Sequence, residues 1–253
     1  MPKIIYFVTE DWYFWSHRLS LARAAQKSGF QVTVLTRVNK YKDLIESEGF
    51  NLIPLELVRS SKNIFVELLC FLEIIKIFRR EKPDIVHNVA LKPILYGTWA
   101  ARFSRVPCVV NLFAGITTKF HAKKWKSIIL GTLVDLVFRF GFWNNNAYAI
   151  FQNSFDRKAF LDKNLLLEEN TGIICGSGVS LTKFIDTPEP DGSPLVILAS
   201  RMLWDKGVGE FVEAAKILKN EKISCRMILV GNPDPENPVP LPKDLILKWQ
   251  SEG

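Results

Sequence analysis

Short apolar runs rich in β-branched and aromatic residues alternate with longer amphipathic segments along most of this 253-residue chain. The first pair is an apolar run at 3–8 followed by apolar residues at helical spacing up to Gly29, whose position fits a helix C-terminal cap. Such alternation with short connections predicts a mainly parallel sheet with helices on both faces. The sequence therefore predicts an α/β fold.

The alternation continues through the first 180 residues. Further strands are predicted at 30–37, 51–57, 82–90, 107–115, 147–153 and 172–178, and helices at 41–49, 64–80, 93–105 and 124–143. Ligands bind outside the carboxyl ends of the strands in such sheets. We therefore expect the site in the loops after the first, fourth and fifth strands, at 9–18, 87–93 and 111–120.

Composition changes between 176 and 194, where Gly, Ser, Pro and Asp are enriched and a linker is predicted. We expect a complete Rossmann-like domain at 1–180, a linker at 181–194, and the start of a second Rossmann-like domain at 195–253. That second part contains one βαβ unit, whose sheet would have two open edges. The sequence thus predicts an incomplete second domain, either truncated or completed by another chain.

Two cations stand where this second domain would bind an anion. Arg201 follows a predicted strand, and Lys206 comes five residues later at the start of a predicted helix. Backbone N–H groups and the helix dipole favour an anion there, and a diphosphate fits two such cations. The alternative is that both are solvated turn residues.

Charge is unevenly distributed. Residues 1–180 hold 24 Lys and Arg against 15 Asp and Glu, whereas 181–253 hold 9 against 11. A candidate membrane contact lies at 117–130, where cations surround two aromatic rings. Its residues are Lys119, Phe120, Lys123, Lys124, Trp125 and Lys126. The alternative is a solvated charged loop before a core helix.

Five separated segments resemble glycosyltransferase family 4, whose members are retaining enzymes of the GT-B fold. Within it, the likeness is to the group that adds N-acetylgalactosamine or related sugars to undecaprenyl-diphosphate-linked acceptors in bacterial polysaccharide and glycan assembly. The segments, in chain order, are SHRLSLA, KPDIVHNVALKPILYG, IFQNSFDRKAF, GSGVSLTKF and ASRMLWDKGVGEFVEAAKIL. The resemblance extends from residue 3 to about 235.

The resemblance implies a nucleotide-sugar donor, a UDP-sugar, bound as substrate between two Rossmann-like domains, with no cofactor and no metal. Arg201 and Lys206 match the Arg and Lys that bind the donor diphosphate and stabilise the charge that develops as the sugar leaves. The leaving phosphate is implied to help deprotonate the acceptor hydroxyl. We therefore assign no catalytic base.

Acceptor contacts are implied for the first domain. The Gly-Gly loop that many family members place after the first strand is replaced here by the aromatic stretch 12–15. The acceptor-binding residues predicted from the resemblance and from the site loops are Trp15, His17, Arg18, Lys92 and Gly115. The alternatives are that His17 caps the first helix and Arg18 is solvated. His87, after three strand residues predicted to be buried, is predicted to be a satisfied core histidine.

The expected partners are the nucleotide sugar, the lipid-linked saccharide acceptor and an anionic membrane surface. The start of the chain lacks the pattern of a secretory signal, and no segment has the length of apolar residues that spans a bilayer. We expect a cytoplasmic protein, peripheral at the inner face of the cytoplasmic membrane. Nucleic-acid binding is disfavoured because no helix-turn-helix, zinc-finger or RNA-binding signature is present.

The incomplete second domain lowers the expected activity. The family carries a donor-recognition motif beyond the point where this sequence stops, so the chain alone is expected to transfer sugar weakly or not at all. The alternative is a non-catalytic subunit that binds acceptor or membrane and pairs with a chain carrying the remaining half.

Overall fold

The computed structural model describes residues 1–57, 63–114, 135–136, 138–142, 146–235, 237 and 239–252. The chain divides into two compact units, Met1–Ser180 and Leu181–Gly253. Both combine parallel strands with helices, which confirms the predicted α/β class. None of the helices in the described part of the chain is long and apolar enough to cross a membrane.

The first unit is built on a seven-stranded sheet in which every pairing is parallel. Its strands are β1 Lys3–Glu10, β2 Gln31–Arg37, β3 Asn51–Pro54, β4 Ile85–Val89, β5 Cys108–Phe113, β6 Ala147–Phe151 and β7 Thr171–Ile173. Their order is β3-β2-β1-β4-β5-β6-β7. Strand order therefore reverses between β1 and β4, and the crevice at their carboxyl ends is where such sheets bind ligands.

Helices cover both faces of this sheet. They are α1 Asp11–His17, α2 Leu19–Lys27, α3 Lys42–Ser47, α4 Ile64–Glu81, α5 Leu91–Ser104 and α6 Ser154–Asp162, with further helical residues at 135–136 and 138–141. Successive β1 residues enter different cores, since Phe7 packs in the cluster with α4 and α5 and Tyr6 in the cluster with Phe14. Side chains of a strand alternate between faces, so two cores result.

Four local predictions were wrong, and one of them is the strand predicted at 172–178, which ends at Ile173. Residues 9–18 are not a loop, because β1 continues to Glu10 and α1 follows at once. Helix α6 was not predicted; it is capped by Asn153, whose side chain accepts a hydrogen bond from the Asp156 amide at 2.7 Å. The strand predicted at 51–57 ends at Pro54, because its pairing with β2 ends there. Most of the helix predicted at 124–143 lies outside the described residues.

The second unit has a two-stranded parallel sheet of β8 Leu195–Ala199 and β9 Arg226–Val230. A 3₁₀ turn, Trp204–Lys206, leads into α7 Val208–Asn220, and α8 is Lys243–Ser251. The small core of this unit is formed by Met202, Val208 and Leu241, with partly buried neighbours around them. Residues 181–194 contain turns and bends without helix or strand.

Candidate functional site

Helix α1 is held at the carboxyl edge of the sheet by its first residue, Asp11. Its buried carboxylate accepts hydrogen bonds from the backbone amides of Asn39 and Tyr41, at 2.5 and 3.0 Å. These contacts tie α1 to the loop after β2 and put a negative charge at a helix N-terminus, where the helix dipole favours it. Arg18, which follows α1, is therefore held in place as well.

The aromatic residues of α1 are divided between core and surface. Phe14 is fully buried, and the ring of Trp15 packs 6.0 Å from that of Tyr41. Trp12 is exposed and lies edge-on to Tyr13. Part of this stretch therefore stabilises the fold, and acceptor binding by Trp15 stays a prediction.

His17 ends α1 and stacks on Tyr13, with ring centroids 4.3 Å apart and nearly parallel planes. Its Nδ1 lies 2.6 Å from the Ser16 hydroxyl. Partial burial, followed by the charge of Arg18, lowers the pKa of His17. The ring is therefore neutral at pH 7 and can act as a hydrogen-bonding group rather than as a cation.

Arg18 is a buried guanidinium with no acidic partner. The residue is 7% exposed, its Nη2 donates to the Ser177 hydroxyl at 3.1 Å, and its Nε has no hydrogen-bond partner. Within the described ranges, no carboxylate oxygen lies within 4.0 Å of this guanidinium. Buried charges are normally paired, so this position suits an anion supplied from outside the chain. The alternative that Arg18 is solvated is wrong.

His87 borders the same position. It lies opposite Tyr6 in the β1–β4 pairing, with ring centroids 5.3 Å apart. His87 is 5% exposed, and its Nε2 has no hydrogen-bond partner. Burial, and then the charge of Arg18, lowers the pKa of His87 to about 4, while burial raises the pKa of Tyr6 to about 12. Both are neutral at pH 7, so the charge of this group comes from Arg18.

We call Tyr6, Arg18, His87 and Ser177 the Arg18 cluster. It offers one buried positive charge and two nitrogens without partners, beside the β1–β4 pair at which strand order reverses. Phosphate oxygens accept hydrogen bonds from both guanidinium and imidazole N–H groups. The arrangement therefore fits a phosphate or diphosphate group.

Lys92 is paired with an acid of α4. Its Nζ donates to Glu67 Oε1 at 2.7 Å and lies 5.6 Å from the ring centroid of Tyr96, whose hydroxyl also donates to Glu67. Lys92 thus links α4 to α5, and a carboxylate balances its charge. Acceptor binding by Lys92 stays a prediction.

The remaining sites predicted for the first unit lie outside the described residues. They are the acceptor candidate Gly115 and the membrane candidates Lys119, Phe120, Lys123, Lys124, Trp125 and Lys126. These stay predictions.

Arg201, predicted to bind the donor diphosphate, is paired with an acid. Its Nη1 donates to Asp234 Oδ2 at 2.6 Å, and the two side chains are 45% and 16% exposed. Lys206, at the end of the 3₁₀ turn, is exposed and forms no ion pair with any described residue. Both cations stand at the carboxyl end of the β8–β9 sheet, before the N-terminus of α7.

Backbone packing brings Arg201 and Asp234 together. The loops after β8 and β9 are joined by hydrogen bonds from Ser200 N to Val230 O, at 2.9 Å, and from Met202 N to Asn232 O, at 3.1 Å. Gly231 is required between them, because a Cβ there would lie 1.8 Å from the Ser200 carbonyl oxygen. The close approach of the two loops therefore fixes the Arg201–Asp234 pair.

Sequence reasoning missed several of these residues. His87 is buried as predicted, but the prediction that it is satisfied was wrong, since its Nε2 lacks a partner. Tyr6 and Asp234 were not predicted, and neither carries a pattern that separates it from structural residues. Ser177 lies in GSGVSLTKF, one of the segments that carry the resemblance, and that signal was available.

Comparison with solved structures defines the class of fold. Alr3699/HepE of Anabaena, solved with UDP and glucose, matches with a TM-score of 0.67 and 15% identity over 100% of this chain and 66% of its own. Sucrose-phosphate synthase of Thermosynechococcus elongatus matches with a TM-score of 0.65 and 15% identity over 99% of this chain and 68% of its own. The fold is therefore that of GT-B glycosyltransferases.

The family follows from sequence. The profile of the Glycosyl transferase 4-like family matches residues 3–144, more than half of the chain. The chain belongs to this family.

Two curated relatives support the assignment. The N,N'-diacetylbacillosaminyl-diphospho-undecaprenol alpha-1,3-N-acetylgalactosaminyltransferase of Campylobacter jejuni is 27% identical over 235 residues, which are 87% of this chain and 61% of the relative. The capsular polysaccharide biosynthesis glycosyltransferase CapM of Staphylococcus aureus is 21% identical over 226 residues, 85% of this chain and 57% of the relative. The chain thus spans about three fifths of the length of each.

Proposed function

We propose that the protein serves in the transfer of a sugar from a UDP-sugar to a saccharide carried on undecaprenyl diphosphate, in bacterial surface polysaccharide or glycan assembly. The transfer retains the anomeric configuration and takes place at the inner face of the cytoplasmic membrane. Family membership, the diphospho-undecaprenol acceptor in the name of the Campylobacter relative, and the UDP bound to the Anabaena protein support this proposal.

The observation that carries the proposal is the buried Arg18 guanidinium with no acidic partner among the described residues. An acceptor diphosphate would supply the missing negative charge and accept a hydrogen bond from Arg18 Nε. His87 Nε2 would donate a second one in the tautomer that carries its proton there. Because His87 is neutral at pH 7, it orients the diphosphate without adding charge.

Arg201 and Lys206 act on the donor in this proposal. The bond between the anomeric carbon and the diphosphate oxygen breaks, and a bond from that carbon to the acceptor hydroxyl oxygen forms on the same face of the sugar. The UDP phosphate receives the hydroxyl proton. The two cations stabilise the charge that collects on the leaving diphosphate, the kind of preorganised charge that is often a large catalytic contribution.

The first experiment tests binding at the Arg18 cluster by calorimetry, with a soluble short-chain prenyl diphosphate saccharide and with UDP. We expect Arg18→Ala to lose the prenyl diphosphate and to keep UDP. The matched control is Arg23→Ala, which removes a surface arginine of α2 paired with Glu48. Equal binding of the prenyl diphosphate by both variants would contradict the proposal.

The second experiment measures transfer from UDP-sugars to the same acceptor. Transfer that Arg18→Ala abolishes and Arg23→Ala preserves would support the proposed reaction. If the chain binds acceptor and UDP but transfers nothing, the alternative of a non-catalytic binding subunit is favoured.

A further inference from the structure

The first half of α4 exposes a stripe of large apolar side chains. Its members and their exposed fractions are Ile64 80%, Phe65 78%, Leu68 51%, Leu69 67% and Leu72 44%. These positions follow the spacing i, i+1, i+4, i+5, i+8, which puts them on one side of a helix. We call this set the α4 stripe.

The stripe is not explained by the core of the first unit. Cys70 and Ile74 are buried, and in the second half of α4 Ile77 and Phe78 are buried too, so this helix has its own core-facing side. A contiguous exposed apolar patch of this kind marks a contact with a partner or a membrane.

The α4 stripe lies at the carboxyl end of the sheet, as do Arg18 and Ser177 of the Arg18 cluster. α4 leads into the start of β4, so its own first turns lie at the carboxyl ends of the strands. The ion pair between Glu67 of α4 and Lys92 confirms this placement, because Lys92 follows β4 by only a few residues. The stripe and Arg18, which follows α1, therefore both lie at the carboxyl end of the sheet, although α4 packs on the face opposite to Tyr6 and His87.

We propose that the α4 stripe inserts into the interface of an anionic lipid bilayer. This rests on the proposed function, in which the acceptor is attached to a membrane lipid. The side chains of the stripe have no hydrogen-bonding groups and suit the boundary between headgroups and acyl chains. If the protein docked on the membrane by this end of the sheet, the Arg18 cluster would lie near the lipid headgroups, where the diphosphate of a lipid-linked acceptor is located.

Charge favours a bilayer over a second copy of the chain. The first unit holds 24 Lys and Arg against 15 Asp and Glu, so anionic headgroups attract it. The same surplus makes two copies of this unit repel each other.

The test is flotation of the full chain with vesicles of phosphatidylethanolamine and phosphatidylglycerol, and with vesicles of phosphatidylcholine alone. We expect binding to the anionic vesicles, weaker binding to the neutral ones, and a loss of about tenfold or more in Phe65→Ser/Leu69→Gln. The single variant Leu69→Gln should lose part of this binding. Its matched control is Leu167→Gln, which alters a similarly exposed leucine, 56% against 67%, away from α4.

Two further measurements separate this inference from the proposed function. Arg18→Ala should float like the wild type while losing the soluble prenyl diphosphate, and Phe65→Ser/Leu69→Gln should keep that ligand, which also verifies that it folds. The inference is overturned if the double variant floats like the wild type, or if wild type does not float. It is also overturned if the wild type is a dimer and the double variant is a monomer, because the stripe then contacts a second copy of the chain.

Discussion

The two units present arginines in opposite states. Arg18, in the first unit, is buried, bonded to a hydroxyl, and has no carboxylate beside it within the described residues. Arg201, in the second unit, is nearly half exposed and is already paired with Asp234. The charge of Arg18 is therefore removed from water and has no carboxylate to neutralise it among the described residues. The charge of Arg201 is hydrated and already donates a hydrogen bond to an acid.

The difference in burial between Arg18 and Arg201 affects how strongly each can bind an anion. A charge that is already desolvated interacts strongly with an incoming anion, whereas water and salt screen an exposed one. Substitutions should therefore have larger effects in the first unit than in the second.

The largest effect is expected from a helical glycine of the first unit. Gly97→Ala would place a methyl group 1.9 Å from Oδ1 of the buried Asn88, whose Nδ2 donates to Asn111 Oδ1 at 2.9 Å. Neither residue can move without disturbing this hydrogen-bonded pair, so we expect a loss of about 3 kcal/mol in the free energy of unfolding, measured with urea.

The matched change in the second unit is Gly209→Ala. The new methyl group would meet the ring of Trp204 at 3.0 Å, and that ring is exposed and can shift. Since alanine also favours the helix, the free energy of unfolding should stay within about 1 kcal/mol of wild type. If Gly97→Ala and Gly209→Ala lowered the free energy of unfolding by similar amounts, the two units would not differ in how tightly they are packed at these glycines.

Exchange of arginine for lysine compares the two charges directly. Arg18→Lys should weaken binding of the prenyl diphosphate by about a hundredfold, because a buried ammonium has no fork of donors to reach both Ser177 and a phosphate. Arg201→Lys should weaken UDP binding by only about threefold, since the site is open to water. Calorimetry at one salt concentration measures both affinities. Equal losses of affinity in the two variants would argue against a difference between the buried and the exposed arginine.

The pH dependence of stability should come largely from His87. Its pKa is lowered from 6.5 to about 4 in the folded protein, so between these values the unfolded chain binds more protons and stability falls as pH falls. From about pH 7 to about pH 5, we expect this group to cost about 2 kcal/mol in the free energy of unfolding. In His87→Gln most of that decrease should disappear; an unchanged slope would mean that His87 is not the group responsible.

The strands could be predicted from sequence because their apolar runs are continuous and bounded by turn residues. Helix α1 could not, since a seven-residue helix is unstable alone and depends here on the bonds between Asp11 and the backbone of Asn39 and Tyr41. In the candidate site, too, some features could be predicted from sequence and others depend on contacts between distant residues. Arg18 was predicted as a site residue from the family resemblance, whereas the unpartnered Nε2 of His87 results from neighbours distant in sequence.

The smallest effect concerns the acid beside Arg201. Asp234→Asn keeps an oxygen that accepts the Arg201 hydrogen bond and removes a negative charge next to the proposed diphosphate site. UDP should therefore bind about threefold more tightly at low salt, and the gain should shrink as salt is added. Asp234→Ala also removes the acceptor that orients Arg201, so it should bind UDP more weakly than Asp234→Asn. If both variants bind UDP more weakly than wild type, the carboxylate itself orients Arg201 for the donor, and the paired state of this arginine is then part of the binding site rather than a competitor of the diphosphate.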